Sequence, residues 1–153
     1  MPTARVTNVP ERSPELPVAW IVDLDGTLAR MQGRSPYAWH RVGEDLPNAA
    51  VVMATQALHA HPAVDAIIAV SGRDEVARRQ THMWLDAQNV PFTELHLRPT
   101  GDNRPDEIVK QEIYSTRIAP RFNVVGVLDD RAKVVAMWRS LGLVCFQVAD
   151  GEF

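Results

Sequence analysis

The segment Asp23-Leu24-Asp25-Gly26-Thr27 places two carboxylates one residue apart, directly before a glycine and a hydroxyl. Carboxylates held this close repel each other, so the pair needs a cation or a shared proton. A hard divalent ion such as Mg2+ meets the first need. A carboxyl that holds a proton, and so can act as an acid, meets the second. Gly26 and Thr27 can form a tight turn whose amides face a phosphate. Calcium loops share the Asp-x-Asp-Gly letters, and a solvated turn also uses aspartate as a breaker. The apolar run Val18-Ala19-Trp20-Ile21-Val22 just upstream favours the first reading. If that strand continues, Asp23 and Asp25 face the same side of it.

Three further signals sit at comparable places. Ser71-Gly72-Arg73 follows the apolar run Ala63 to Val70 and precedes a helix expected from Asp74. A hydroxyl beside a helix N-terminus can bind phosphate, and Arg73 can add a forked contact. An N-cap serine with a turn glycine is the plainer alternative. Asp129-Asp130 closes the run Asn123 to Leu128, where adjacent acids are costly unless a metal or a base neutralises them. Asp129 can cap a helix starting at Arg131 while Asp130 serves a metal. Lys110 lies in the helical stretch Pro105 to Arg117. It is either a solvated surface lysine or the cation that balances the three carboxylates.

The elements that must position these residues alternate along the chain. Strands are expected at Val18 to Val22, Ala63 to Val70, Asn123 to Leu128 and Leu143 to Val148, with a weaker one at Thr93 to Leu97. Amphipathic helices are expected at Asn48 to His59, Asp74 to Gln88, Pro105 to Arg117 and Arg131 to Leu141. Alternating strands and helices predict an α/β fold: a Rossmann-like, doubly wound parallel sheet of about five strands with helices on both faces. In such sheets ligands bind beyond the carboxyl ends of the strands, where all four signals fall. The polar stretch Ala29 to Pro47 is too long for a minimal connection and reads as a small lid inserted after the first strand.

Composition bounds the rest. The 153 residues suit one domain, with 46% hydrophobic and 23% charged residues as in ordinary globular chains. No apolar run reaches the roughly 18 residues of a membrane span. The Pro-rich stretch 1–17 has no apolar signal region and is expected to be a flexible lead-in to a domain over 18–153. A single cysteine, Cys145, excludes an internal disulfide and a cysteine zinc cage, so a reducing, cytoplasmic setting is expected. The net charge of −3 argues against a broad duplex-coating surface. Of 16 Lys and Arg residues only Lys110 and Lys133 are lysine, and arginine suits bidentate phosphate contacts. Neither lysine follows a glycine, so the chain has no P-loop. Trp84 and Trp138 read as core, the five histidines show no ligand spacing, and Tyr37 and Trp39 in the long loop leave base stacking open.

The ordered set Asp-x-Asp-Gly-Thr, Ser, Lys, Asp-Asp resembles the haloacid dehalogenase superfamily of phosphotransferases. The runs Asp23 to Arg34, Gly101 to Ile113 and Ile118 to Phe153 are similar to the phosphatase half of phage-type polynucleotide kinase/3'-phosphatase. The similarity covers Trp20 to Phe153, with a shorter segment after Ser71-Gly72-Arg73. It implies Asp23 as nucleophile, Asp25 as general acid and base, and Ser71 and Lys110 as holders of the phosphate oxygens. It implies Mg2+ held by Asp23, the Asp25 carbonyl and Asp130, with Asp129 supporting. Gly26, Thr27, Arg34, Gly72, Arg73 and Asp106 would then bind or orient the substrate. The expected function is removal of 3'-phosphates from DNA or RNA ends through an aspartyl-phosphate, in a host cytoplasm if phage-encoded, beside a separate kinase or ligase. The alternatives are a phosphatase of free nucleotides or other small phosphoesters, and a non-catalytic end-binding subunit of a repair complex.

Overall fold

The computed structural model describes residues 13–153, so residues 1–12 of the expected lead-in lie outside the described residues. The remainder of that lead-in is fastened rather than free. The Asn123 side chain donates to the carbonyls of Ser13 and Leu16 and accepts from the Ser13 amide at 3.0 Å.

Seven strands follow: β1 (Val18–Val22), β2 (Ala29–Arg30), β3 (Leu46–Pro47), β4 (Ala66–Asp74), β5 (Glu94–Arg98), β6 (Asn123–Asp129) and β7 (Cys145–Gln147). The α-helices are α1 (Ala49–Ala60), α2 (Arg78–Ala87), α3 (Asp106–Ile113) and α4 (Ala132–Ser140). Five parallel strands form one sheet in the order β5-β4-β1-β6-β7, while β2 and β3 pair antiparallel in a separate flap. The chain winds outward from β1 through β4 to β5, then returns to the other side of β1 for β6 and β7. The reversal falls between β1 and β6, the place where such sheets bind ligands.

Period-2 alternation divides the strand residues between two cores. Ala66, Ile68 and Val70 of β4 join the cluster built with α3 and α4 around Trp138. Ile67 and Ala69 join the opposite cluster built with α1 and α2 around Trp84 and Leu85. Both faces are thus covered, which is why β1 reads as an unbroken apolar run. Each such buried Leu, Ile or Val contributes about 1.5–3 kcal/mol against exposure.

Two differences from expectation bear on the site. Ser71-Gly72-Arg73 lies inside β4, which runs on to Asp74 instead of ending at Val70. Asp74 then caps a single tight turn, Glu75–Ala77, by accepting the Val76 amide, and α2 begins only at Arg78. Ser71 therefore sits on a strand and not beside a helix N-terminus. At the other boundary, Arg131 occupies the N-cap position of α4, so Asp129 is not its cap. No helix among the described residues is long and apolar enough to cross a membrane.

Cys145 is buried, and burial, with the Asp129 charge beside it, pushes its thiol up to about 12. Since the thiolate is the reactive form, a thiol reagent at pH 8 should label Cys145 only after denaturation. Stoichiometric labelling of the native protein within minutes would contradict this packing.

Candidate active site

The sheet places the first aspartate. The Asp23 amide donates to the Leu128 carbonyl at 2.9 Å, carrying the β1–β6 ladder one residue past β1 and setting Asp23 beside Asp129. The chain then turns sharply: the Thr27 and Ala29 amides both donate to the Leu24 carbonyl, and the Gly26 amide donates to the Ala29 carbonyl. Gly26 has φ 83°, and a Cβ there would lie within 3.0 Å of the Asp130 carboxylate. Only glycine meets both conditions. The amides of Gly26 and Thr27, expected to face a phosphate, are thus occupied inside the turn. Thr27 enters through its hydroxyl instead, 3.0 Å from Asp23 Oδ2 and 3.1 Å from Asp130 Oδ1.

Asp23, Asp129 and Asp130 are all buried, and one oxygen from each lies within 4.8 Å of the others. Lys110 projects from α3 into this group, its Nζ 2.7 Å from Asp23 Oδ1 and 3.1 Å from Asp129 Oδ2. Burial pulls the ammonium down, but the charges of Asp129 and Asp23 outweigh it and hold Lys110 above the usual lysine range. Burial pushes Asp23 well above the usual carboxylate range, the Asp129 charge adds to this, and Lys110 opposes it. Burial raises Asp130 as well. One ammonium against three carboxylates leaves an excess of buried negative charge, and the donors are all oxygen. That combination fits a hard divalent cation such as Mg2+.

The three carboxylates are not equally available. Asp129 Oδ2 accepts Lys110 and the Trp138 indole N–H at 3.1 Å, and its Oδ1 accepts the Asp130 amide at 2.8 Å. Asp129 is thereby fixed as the partner of Lys110. Asp23 and Asp130 keep lone pairs for a metal.

Asp25 stands apart from this trio. Its carboxylate is clamped by Arg73, with Nε 2.9 Å from Oδ2 and Nη2 2.8 Å from Oδ1, and Arg34 approaches at 3.3 Å. Both arginines turn their other donors onto Asp45: Arg34 Nε at 2.7 Å, Arg34 Nη2 at 2.9 Å and Arg73 Nη2 at 2.9 Å. Arg73 also donates to Thr81 at 3.0 Å. The side chains of Arg34 and Arg73 are 0% and 1% exposed and both are engaged in positioning Asp25, although Arg73 still borders the cavity. Nor is the Asp25 carboxylate a member of the metal-ligating trio.

The remaining expected residues frame the entrance. Ser71 is fully buried, its Oγ accepting the Arg73 amide at 3.1 Å. Gly72 is required because a Cβ there would lie within 3.0 Å of Asp106. Asp106 in turn accepts Arg98 and, at 2.9 Å, Arg131, so it anchors two arginines and does not point at a substrate alone. A cavity of about 620 Å³ opens at the Asp23–Asp130 edge, and its lining includes Tyr37 and Trp39 of the flap together with Arg98, Arg104 and Arg131. Sequence reasoning missed Asp45 and these three arginines. Arg98 ends β5 at the same carboxyl edge as the other signals, so the strand-end rule could have found it. Asp45 had no such mark, being one acid in a polar loop.

Residues 17–153 match the family described as the polynucleotide kinase PNKP phosphatase domain. The chain belongs to that family. It is 32% identical over 130 residues to a putative bifunctional polynucleotide kinase/RNA ligase of Autographa californica nuclear polyhedrosis virus, covering 83% of this chain and 18% of that one. Two structures of Pnkp1/Rnl/Hen1, one described as an RNA repair complex, superpose with TM-score 0.90 and 36% identity over 99% of this chain. The chain spans 48% and 52% of those two proteins. The five-stranded α/β fold described above is thus the fold shared with those structures.

Asp45 makes the arginine pair affordable to bury, and that is measurable. Asp45→Ala leaves two buried guanidiniums on one carboxylate and should cost about 3–5 kcal/mol in urea denaturation. A loss below about 1 kcal/mol, the range of exposed pairs, would show that the network is weaker than its geometry.

Proposed function

We propose that this domain is a Mg2+-dependent phosphatase that removes 3'-phosphates from DNA or RNA ends through an aspartyl-phosphate. The observation that carries the reading is the division of labour between two carboxylates of one turn. Asp23 sits against Lys110 on the floor of the cavity, and Asp25, 30% exposed, is held above it by two arginines.

Asp23 attacks the phosphorus, forming a P–O bond to its carboxylate while the bond to the sugar O3' breaks. Asp25 gives its proton to the departing O3', then takes one from the water that attacks the phosphoryl-aspartate. That second step releases inorganic phosphate and restores the Asp23 carboxylate. Lys110, which borders the cavity, holds the non-transferred oxygens and keeps Asp23 oriented, while Ser71 supports the backbone of Arg73. Asp23, Asp130 and the Asp25 carbonyl would hold Mg2+, whose charge lets one anion approach another.

Action on polynucleotide ends is supported by family membership and by the relatives, a polynucleotide kinase/RNA ligase and an RNA repair complex. It also suggests a kinase or ligase acting on the same ends. With Arg34 and Arg73 buried, those residues no longer argue for polarity, and a phosphatase of small phosphoesters is the reading to be tested against.

Asp23→Asn should retain the fold and lose several orders of magnitude in turnover, as expected of a covalent nucleophile. The wild-type protein should process a 3'-phosphorylated oligonucleotide, barely touch a 5'-phosphorylated one, and stop reversibly on chelation of Mg2+. Equal rates at both ends, or a preference for free mononucleotides, would establish the small-molecule reading instead.

Asp25→Asn should slow formation of the phosphoryl-enzyme far less for an aryl phosphate, whose leaving group needs little protonation, than for a 3'-phosphate. Equal losses in pre-steady-state bursts on both substrates would remove Asp25 from the acid role.

A further inference from the structure

We propose that the segment 147–153 is a clamp that holds Asp130 in position to ligate a metal, with Gly151 as its main positioning residue. The inference rests on the Mg2+-dependent phosphatase reading above and adds to it how one ligand of that site is fixed.

Asp130 lies in the turn between β6 and α4, and the helix does not hold that turn by itself. Arg131 occupies the N-cap position of α4 without a side-chain cap hydrogen bond. The first amides of a helix need an acceptor from elsewhere, and an arginine side chain has only donors. The segment 147–153 supplies the acceptor: the Ala132 amide donates to the Gly151 carbonyl at 2.8 Å. The Val148 amide donates to the Asp129 carbonyl at 3.0 Å, which extends the β6–β7 ladder and brings the segment alongside the turn. Gln147 Nε2 donates to the Asp130 carbonyl at 3.1 Å. Asp129, Asp130 and Ala132 are thus each tied to it through the main chain.

The two stretches of chain approach most closely at Gly151. It is buried, and a Cβ there would lie within 3.0 Å of the Asp130 carbonyl and of Arg131 Cα. Those obstacles are backbone and cannot swing aside, so only glycine allows the contact. Beyond it, the main-chain oxygen of Phe153 accepts Arg131 Nε at 2.9 Å, and the Phe153 ring centroid lies 5.2 Å from Arg131 Cζ. The Thr27 hydroxyl orients the Asp130 carboxylate directly, but a side chain is aimed only when its Cα is also fixed. The clamp supplies that second constraint, and groups behind the ligands commonly set metal affinity.

Metal binding to the phosphate-free protein tests this, measured by calorimetric titration with Mg2+ and by the electron paramagnetic resonance of Mn2+. Gly151→Ala should raise the Kd for both ions on the order of 10-fold, because the added methyl either pushes the turn or lifts the clamp off it. Gln147→Leu, at an exposed position, should raise it about 3-fold by removing one donor. Phosphatase activity of both variants should approach wild type as Mg2+ is raised. Unfolding in EDTA fixes a temperature at which each variant is fully folded, and the titrations are run there. A merely structural strap would lower the unfolding midpoint without moving the Kd. Wild-type affinity in folded Gly151→Ala therefore overturns the clamp while leaving the phosphatase reading intact. Should Gly151→Ala not fold, Gln147→Leu decides alone, and an unchanged Kd there overturns the proposal. Failure of the wild-type protein to bind either ion removes the metal reading and this inference with it.

Discussion

The Lys110 ammonium is the interaction on which the rest of the site depends. Three carboxylates cannot share the buried edge of a parallel sheet without compensation, and Lys110 reaches two of them, Asp23 and Asp129. Its own burial is tolerable for the same reason, because the facing charges more than offset the lost hydration. Trp138 extends the dependence into the core by donating its indole N–H to Asp129. A helix-packing tryptophan thereby sets where the lysine's partner carboxylate lies. What remains after these pairings is negative charge on Asp23 and Asp130, whose oxygens would hold the divalent cation of the proposed mechanism.

A second charge lattice lies beside the first and is kept separate from it. Asp25, Arg73, Arg34 and Asp45 alternate acid and base, so each of the two guanidiniums faces both carboxylates. The consequence is chemical. Asp23 lies in a field dominated by other acids and one lysine, while Asp25 lies in a field of guanidiniums. Two carboxylates separated by a single residue thus experience opposite surroundings, the condition under which chemically identical groups can take different roles.

The flap joins both lattices to the surface. Its end supplies Asp45 to the buried network, and its tip supplies Tyr37 and Trp39 to the cavity rim. The Trp84 indole N–H donates to the Asp45 carbonyl at 2.8 Å, so α2 also holds this segment down. An insertion this small can shape a site because its anchor is an ion-pair network and not a hydrophobic core of its own.

The motifs were legible because backbone geometry is local. An apolar run followed by Asp-x-Asp-Gly-Thr read best as a buried strand running into a sharp turn, and Asp129-Asp130 as the end of another strand. The order of the four signals, the parallel sheet and the position of the carboxyl edge all followed from the sequence, as did the cores holding Trp84 and Trp138. The sequence could not say which way a charged side chain turns once it arrives at that edge. Arg34 and Arg73 read as phosphate forks, yet the fold brings Asp45 from the far end of the flap to meet them, and a buried guanidinium takes the carboxylate it can reach. Gly26 and Thr27 read as a phosphate-facing turn, yet their amides close the turn on itself. The strand bearing Ser71 runs four residues further than its apolar run, carried by polar side chains that find buried partners only in the folded molecule. Partner choice among charges depends on distances through space, and those distances exist only when the chain has folded.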